Sequence, residues 1–274
     1  MFGTFQEKIK NIQKKNNSNL VVGLDLELAK FPESITGKDA FFSFAKQIID
    51  ATFDSVVAYK PNIAFFEAMG LAGIEQLHKI LAYIPADIPV ILDAKRGDIG
   101  NTAKMYAKSV FEDYKADSVT LSPYMGADTL EPFLEYRDKY VFALVLTSNP
   151  GGNDLQLLKL EDGSFLYEKT CKIVKILDDK YQNCGAVVGA TKPEYFSSVA
   201  SILKNSYFLI PGIGTQGGSV SSVLTNCQIQ QRDYCLFNVS RDVLYASRAK
   251  DFAQVAKQKA IYYKELINKE KESI

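Results

Sequence analysis

Residues 89–103 read PVILDAKRGDIGNTA. The run opens as an apolar strand, Val90, Ile91 and Leu92, and then sets Asp93, Lys95 and Asp98 within six residues. Side chains along a strand alternate between faces, so Asp93 and Lys95 project together while Ala94 and Arg96 point the other way. Gly97 and Gly100 imply a tight turn, and Asp98 falls where the next helix should begin. A cation between two carboxylates at the end of an apolar strand costs desolvation unless the charges offset one another. Taken alone, the stretch suits a structural ion pair at a helix cap as well as it suits a catalytic cluster.

Apolar runs of the same kind recur along the chain, each followed by a helical pattern. They are 20–26 (LVVGLDL), 55–60 (SVVAYK), 89–95, 118–122 (SVTLS), 141–147 (VFALVLT), 185–190 (GAVVGA), 207–211 (YFLIP) and 234–240 (YCLFNVS). Near-continuous apolar strands alternating with helices indicate a parallel sheet covered by helices. Eight such units in 274 residues predict an α/β fold, a closed (β/α)8 TIM barrel rather than an open doubly wound sheet. No linker or shift of composition divides 1–274, so the prediction is a single domain. At the amino end Phe2, Phe5, Ile9 and Ile12 recur at helical spacing and predict a short helix packed over the barrel. Residues 250–274 read as the last helix, with Phe252, Val255, Ala256, Ala260 and Ile261 inward and a solvated end.

Formal net charge is zero and the sequence pI is near 6.6, which leaves no electrostatic footprint for nucleic acid or an acidic membrane surface. The longest apolar runs, such as 141–146, fall far short of a membrane span, and the amino terminus carries no apolar signal core. A cytoplasmic protein is expected. The four cysteines, Cys171, Cys184, Cys227 and Cys235, form no CxxC pair and are expected as reduced core thiols. The single histidine, His78, sits in a helical pattern where a solvated position is the default. Triad hydrolysis and histidine-rich zinc sites are thereby disfavoured, and acid–base chemistry falls to Lys, Asp, Glu or Tyr.

In a (β/α)8 barrel the active site lies at the carboxyl ends of the strands. There the sequence places Asp25, then Lys60 with Pro61 and Asn62, then Asp93 and Lys95. Further on come Thr147 and Ser148 with Asn149, Pro150, Gly151 and Gly152, then PGIGTQGG (211–218), then Ser240 and Arg241. Glycines at Gly212, Gly214, Gly217 and Gly218 let backbone N–H groups approach an anion, and Arg241, one of only five arginines, adds a charged fork on the next strand. A Gly-rich loop alone is as often a plain turn; with Arg241 beside it, a phosphate site between the seventh and eighth loops is predicted. Residues 149–163, about 15 residues with a proline and three glycines, are long for a barrel connection. They read as a lid over bound ligand or as a disordered surface insertion. Ser122-Pro123-Tyr124 and Thr191-Lys192-Pro193 read as ordinary turns without chemistry.

These motifs together resemble the orotidine 5′-monophosphate decarboxylase family, in the bacterial-type subgroup whose third strand reads like DAKRGDIGNT. The third-strand pattern alone is shared with sugar-phosphate lyases; its combination with YKPN (59–62), LTSNPG (146–151) and PGIGTQGG (211–218) is the specific feature. The resemblance covers essentially the whole barrel. It implies decarboxylation of orotidine 5′-monophosphate to uridine 5′-monophosphate, the last step of pyrimidine nucleotide synthesis, with no cofactor and no metal. Carried over by motif, Lys60, Asp93, Lys95 and Asp98 match the family's charge network, with Lys95 stabilising and then protonating the C6 carbanion. Asp98, Ile99 and Thr102 would enter the partner subunit's site, which implies a homodimer with shared active sites. Asp25 and Lys60 would hold ribose hydroxyls and Ser148 the pyrimidine edge, with Pro150 a further substrate-binding residue. Gln216, Gly217 and Arg241 would hold the phosphate, and Asn62 is a further substrate-side candidate. The sequence lacks the phosphoribosyltransferase domain of fused members and is expected to be monofunctional. The alternatives are a Mg²⁺-dependent sugar-phosphate decarboxylase or aldolase of the same suprafamily, for which Asp25 and Glu27 are available, and a non-catalytic phosphate-ligand-binding barrel.

Overall fold

The computed structural model describes residues 3–273, so the predicted inward Phe2 and the terminal Ile274 lie outside the described residues. Eight strands form one sheet: β1 (Leu20–Leu24), β2 (Ala58–Pro61), β3 (Ile91–Arg96), β4 (Ser118–Leu121), β5 (Tyr140–Leu146), β6 (Cys184–Val188), β7 (Phe208–Pro211) and β8 (Cys235–Val239). Neighbouring strands pair in parallel, in the order β2-β1-β8-β7-β6-β5-β4-β3. Parallel bridges from Tyr59 to Val90 and from Asn62 to Asp93 then bring β2 against β3, which closes the ring. The expected barrel is present. Each strand is shorter than the apolar run that predicted it or is displaced by a residue or so. Asp25 and Leu26 lie past the end of β1, and Ser240 past the end of β8.

The strands are buried on both faces, as expected where helices cover the outside and side chains fill the inside. Phe5 of the helix Phe5–Asn16 stacks on Tyr140 at 5.0 Å and meets Phe142 and Tyr207 edge-on. Tyr140 begins β5 and Tyr207 directly precedes β7, so the helix covers the amino-terminal end of the barrel. Thr4 starts it with a reciprocal capping pair to Glu7, and Lys8 anchors it to Asp117 at 2.6 Å. The last helix, Phe252–Ser273, buries Phe252, Ala256, Ala260, Tyr263 and Ile267, spaced by four, four, three and four residues. Val255 and Ile261 are only half-buried, because that stripe lies one side of them. Among the described residues no helix is long and apolar enough to cross a membrane.

The segment after β5 is folded rather than loose. A 3-10 turn, Pro150–Gly152, leads into the short helix Asn153–Gln156, and Lys159 pairs with Phe165 as an antiparallel bridge. Gln156 turns back to accept from the Thr147 N–H at 2.9 Å and to donate to Thr147 Oγ1 at 2.9 Å. Its length is used in closing on itself over the end of β5.

Candidate active site

A cavity of about 400 Å³ opens at the carboxyl ends of the strands. Its charged wall is built by β2, β3 and β4. Asp93 Oδ2 accepts from Lys60 Nζ at 2.6 Å, and Asp93 Oδ1 accepts from Lys95 Nζ at 2.5 Å and from Thr120 Oγ1 at 2.8 Å. Burial acts to raise the Asp93 carboxyl, but the Lys60 and Lys95 ammonium groups outweigh it and hold the group well below the usual carboxylate range. Burial likewise acts to lower Lys60, and Asp93 with Asp25 more than offsets it, so its ammonium is held above the ordinary lysine value. The two lysines differ in access: the Lys60 side chain is 6% exposed and that of Lys95 51%. Lys60 is locked behind Asp93, whereas Lys95 faces the open cavity.

Lys95 reaches that position by a backbone device that simple alternation does not show. Its φ is +47°, in the left-handed region, and the β3–β4 register slips between Leu92 and Arg96. Such a bulge re-aims a side chain at a strand end. Thr120 Oγ1 secures it by accepting from the Ala94 and Lys95 N–H groups, each at 3.1 Å. Arg96 points away as expected, pairing with Glu67 and lying over the Tyr106 ring. Gly97 is required where the chain turns, since a Cβ there would lie 2.8 Å from the Ser122 carbonyl oxygen.

Across the cavity β8 contributes Asn238, and Ser240, Arg241 and Asp242 line it beyond the strand end. Buried atoms without a hydrogen-bond partner gather here: Asp25 Oδ1, Asn238 Oδ1 and Ser240 Oγ. Buried polar atoms are normally paired, so these are unmet demands at a ligand site. Gly23 makes room for them, as a Cβ there would sit 1.8 Å from Ser240 Oγ. On the β7 side the loop takes positive φ at Gly212, Gly214 and Gly217. The Gly217 and Gly218 amides are not free for an anion as predicted: they donate to the Gly214 and Gly212 carbonyls at 2.8 and 2.9 Å. They hold the loop's shape, and Gly212, Thr215 and Gln216 line the cavity together with Arg241.

Of the predicted site residues, Asp25, Lys60, Asp93, Lys95, Ser148, Gln216 and Arg241 line this one cavity. The others lie outside its lining. Asn62 caps the helix Ile63–Glu67, with its Oδ1 accepting from the Ala64 N–H at 3.2 Å, so its side chain is engaged locally. Pro150 starts the 3-10 turn, and both it and Gly217 are exposed. Asp98, Ile99 and Thr102 sit on the turn and first turn of the helix Gly100–Lys108; Ile99 is 54% exposed and Met105, on the same helix, 61%. Asp98 does not join the Lys60–Asp93–Lys95 cluster within one chain. Thr120 and Asn238 were missed in the sequence, whereas Ser240, placed at the mouth beside Arg241, does line the cavity. Asn238 had a readable signal, since it lies two residues before Ser240 and so shares its face of the strand. Among the described residues no group of three or more His, Cys, Asp or Glu side chains is gathered as a metal site.

Residues 18–258 match the model of the family described as "Orotidine 5'-phosphate decarboxylase / HUMPS family". The orotidine 5'-phosphate decarboxylase of Herpetosiphon aurantiacus is 46% identical over 93% of this chain and 95% of its own. That of Flavobacterium johnsoniae is 47% identical over 91% of each. Among solved structures, Leishmania donovani OMP decarboxylase superposes with a TM-score of 0.84 at 38% identity, covering 98% of this chain and 99% of that one.

Proposed function

The chain belongs to the orotidine 5'-phosphate decarboxylase / HUMPS family, and from that premise we propose that it converts orotidine 5′-monophosphate to uridine 5′-monophosphate and CO2 without a cofactor. The observation that carries the chemistry is the Lys60–Asp93–Lys95 chain at the cavity wall. The C6–carboxylate bond breaks, CO2 leaves, and the electron pair stays on C6. The Lys95 ammonium faces that developing charge and then gives C6 its proton. Lys60 fixes Asp93, and Asp93 fixes Lys95, so the charges are ordered before substrate arrives. Asp93 also opposes the substrate carboxylate. At about 4 Å and an effective dielectric of about 20 that repulsion is about 4 kcal/mol, or roughly three decades of rate. Gln216 and Arg241 take the phosphate, Asp25 the ribose hydroxyls and Ser148 the pyrimidine edge. Phosphate binding energy then serves to order the charges.

Asp98, Ile99 and Thr102 complete the site of a second copy. The exposure of Ile99 and Met105 on that helix supports a homodimer with shared sites. A cytoplasmic location with free thiols fits this reading. Relatives at 46–47% identity named as orotidine 5'-phosphate decarboxylases favour it over a Mg²⁺-dependent sugar-phosphate lyase and over a binding barrel. The test is loss of orotidine monophosphate absorbance in excess chelator. Turnover is expected to persist; a strict Mg²⁺ requirement, or no turnover from folded protein, overturns the proposal.

A further inference from the structure

Lys192, on the loop after β6, is a buried lysine in an odd position. The residue is 9% exposed, and among the described residues no carboxylate lies within ion-pair distance of its Nζ. Its Nζ donates to an amide oxygen, Asn153 Oδ1, at 2.7 Å. Holding a lysine in a buried position with a neutral acceptor costs desolvation, and a methionine would fill a similar volume without that cost. Burial lowers its pKa, and Glu194, the one charged neighbour acting on it, offsets this only in part.

The acceptor is what gives the position meaning. Asn153 opens the short helix Asn153–Gln156, whose far end, Gln156, grips Thr147 through its backbone N–H and hydroxyl. Thr147 and Ser148 line the cavity. The same loop touches Ser148 directly: Thr191 Oγ1 donates to the Ser148 carbonyl at 3.1 Å, and the Gly189 N–H donates to Leu146 O at 2.7 Å. A Cβ on Gly189 would lie 2.7 Å from Ser148 Cα, so the two loops are packed backbone to backbone. On its other side Ala190 N–H donates to Pro211 O at 2.9 Å, next to the phosphate-side loop.

We propose that Lys192 is a positioning residue: its bond to Asn153 latches the segment after β5 and thereby fixes Thr147 and Ser148 against the bound nucleotide. This rests on the decarboxylase reading only in naming the nucleotide. Lys192→Met and Asn153→Ala, in the full chain, each remove the latch. Each is expected to raise KM for orotidine monophosphate about tenfold, the loss of one charge-assisted hydrogen bond, with kcat changed by less than about threefold, as for a contact used equally in ground and transition states. The double variant is expected to be no worse than either single one, because both delete the same interaction. An unchanged KM in Asn153→Ala, or losses that multiply in the double variant, overturns the latch. Asn153 is exposed, so its truncation keeps the test alive if Lys192→Met does not fold. Absence of turnover in the unaltered protein would count against the decarboxylase reading instead. The latch is then read from tryptic cleavage after Lys159, which both variants must accelerate; unchanged cleavage overturns it.

Discussion

Lys60 Nζ lies 2.6 Å from Asp93 Oδ2, with the two side chains only 6% and 8% exposed. Removing one member of such a buried pair strands the other, at a typical cost of about 3–5 kcal/mol. Because Lys95 also holds Asp93, Lys60→Met is expected at the lower end, about 3 kcal/mol by urea unfolding. Activity should fall by far more than binding, since Asp93 and Lys95 lose their fixed geometry. The pH dependence follows from the shifts. Asp93 is depressed, so its contribution is present above the ordinary value of 3.8 and is lost as pH falls through its folded value. Lys60 is raised, so its contribution is present below 10.5 and is lost as pH rises through its folded value. The stability gap between the unaltered protein and Lys60→Met should be flat between those limits and shrink outside them. A gap that varies through neutrality would refute the pairing.

Asp98 stands outside its own chain's cluster although it follows Lys95 by three residues. If it serves a neighbouring copy, Lys95→Ala and Asp98→Ala are each inactive alone, and mixing them under subunit exchange restores activity through one intact mixed site. Proven heterodimers without recovery would remove Asp98 from the mechanism.

Legibility in the sequence tracked how local the cause was. Continuous apolar runs located all eight strands, because burial on both faces demands them wherever the strand lies. Asp93 and Lys95 were placed on one face by alternation, and the structure keeps them there by a route alternation does not contain. The left-handed turn at Lys95 depends on Thr120 of β4, a partner 25 residues away. The Gly217 and Gly218 amides misled for a similar reason: glycine marks where a chain can turn, not which carbonyl its N–H will meet. Lys192 looked like a plain turn residue, because its environment is made by the segment after β5, folded back from 39 residues earlier.

The four thiols should separate cleanly by reactivity. Burial pushes Cys171 up to about 12 and Cys184 well above its ordinary value, and Cys235 is raised by burial and by Cys227. Cys227 alone is lowered, first by the neighbouring Cys235 thiol, then by the Arg232 guanidinium, against the opposing effect of burial, and it is half-buried rather than sealed. The thiolate is the nucleophile, so an aromatic disulfide reagent at neutral pH should modify one thiol quickly and the rest only on unfolding. Cys227→Ser should abolish the fast phase; its survival would assign the reactive thiol elsewhere.

Arg241 begins the short helix after β8 and lines the same cavity as Gln216 and Gly212. A guanidinium on a phosphate makes charge-assisted bonds that a nucleoside does not offer. Arg241→Ala should therefore weaken uridine 5′-monophosphate by about 1.5–3 kcal/mol, roughly 10- to 150-fold, and leave uridine nearly unchanged. Raising salt should narrow the difference for the nucleotide, since an exposed charge contact is screened. The deep pair of Lys60 and Asp93 should be indifferent to the same salt. Equal losses for nucleotide and nucleoside would mean that Arg241 supports the loop rather than the phosphate. In that case the anion must be held by the β7 loop, at the amides that remain after Gly217 and Gly218 have closed on their own carbonyls.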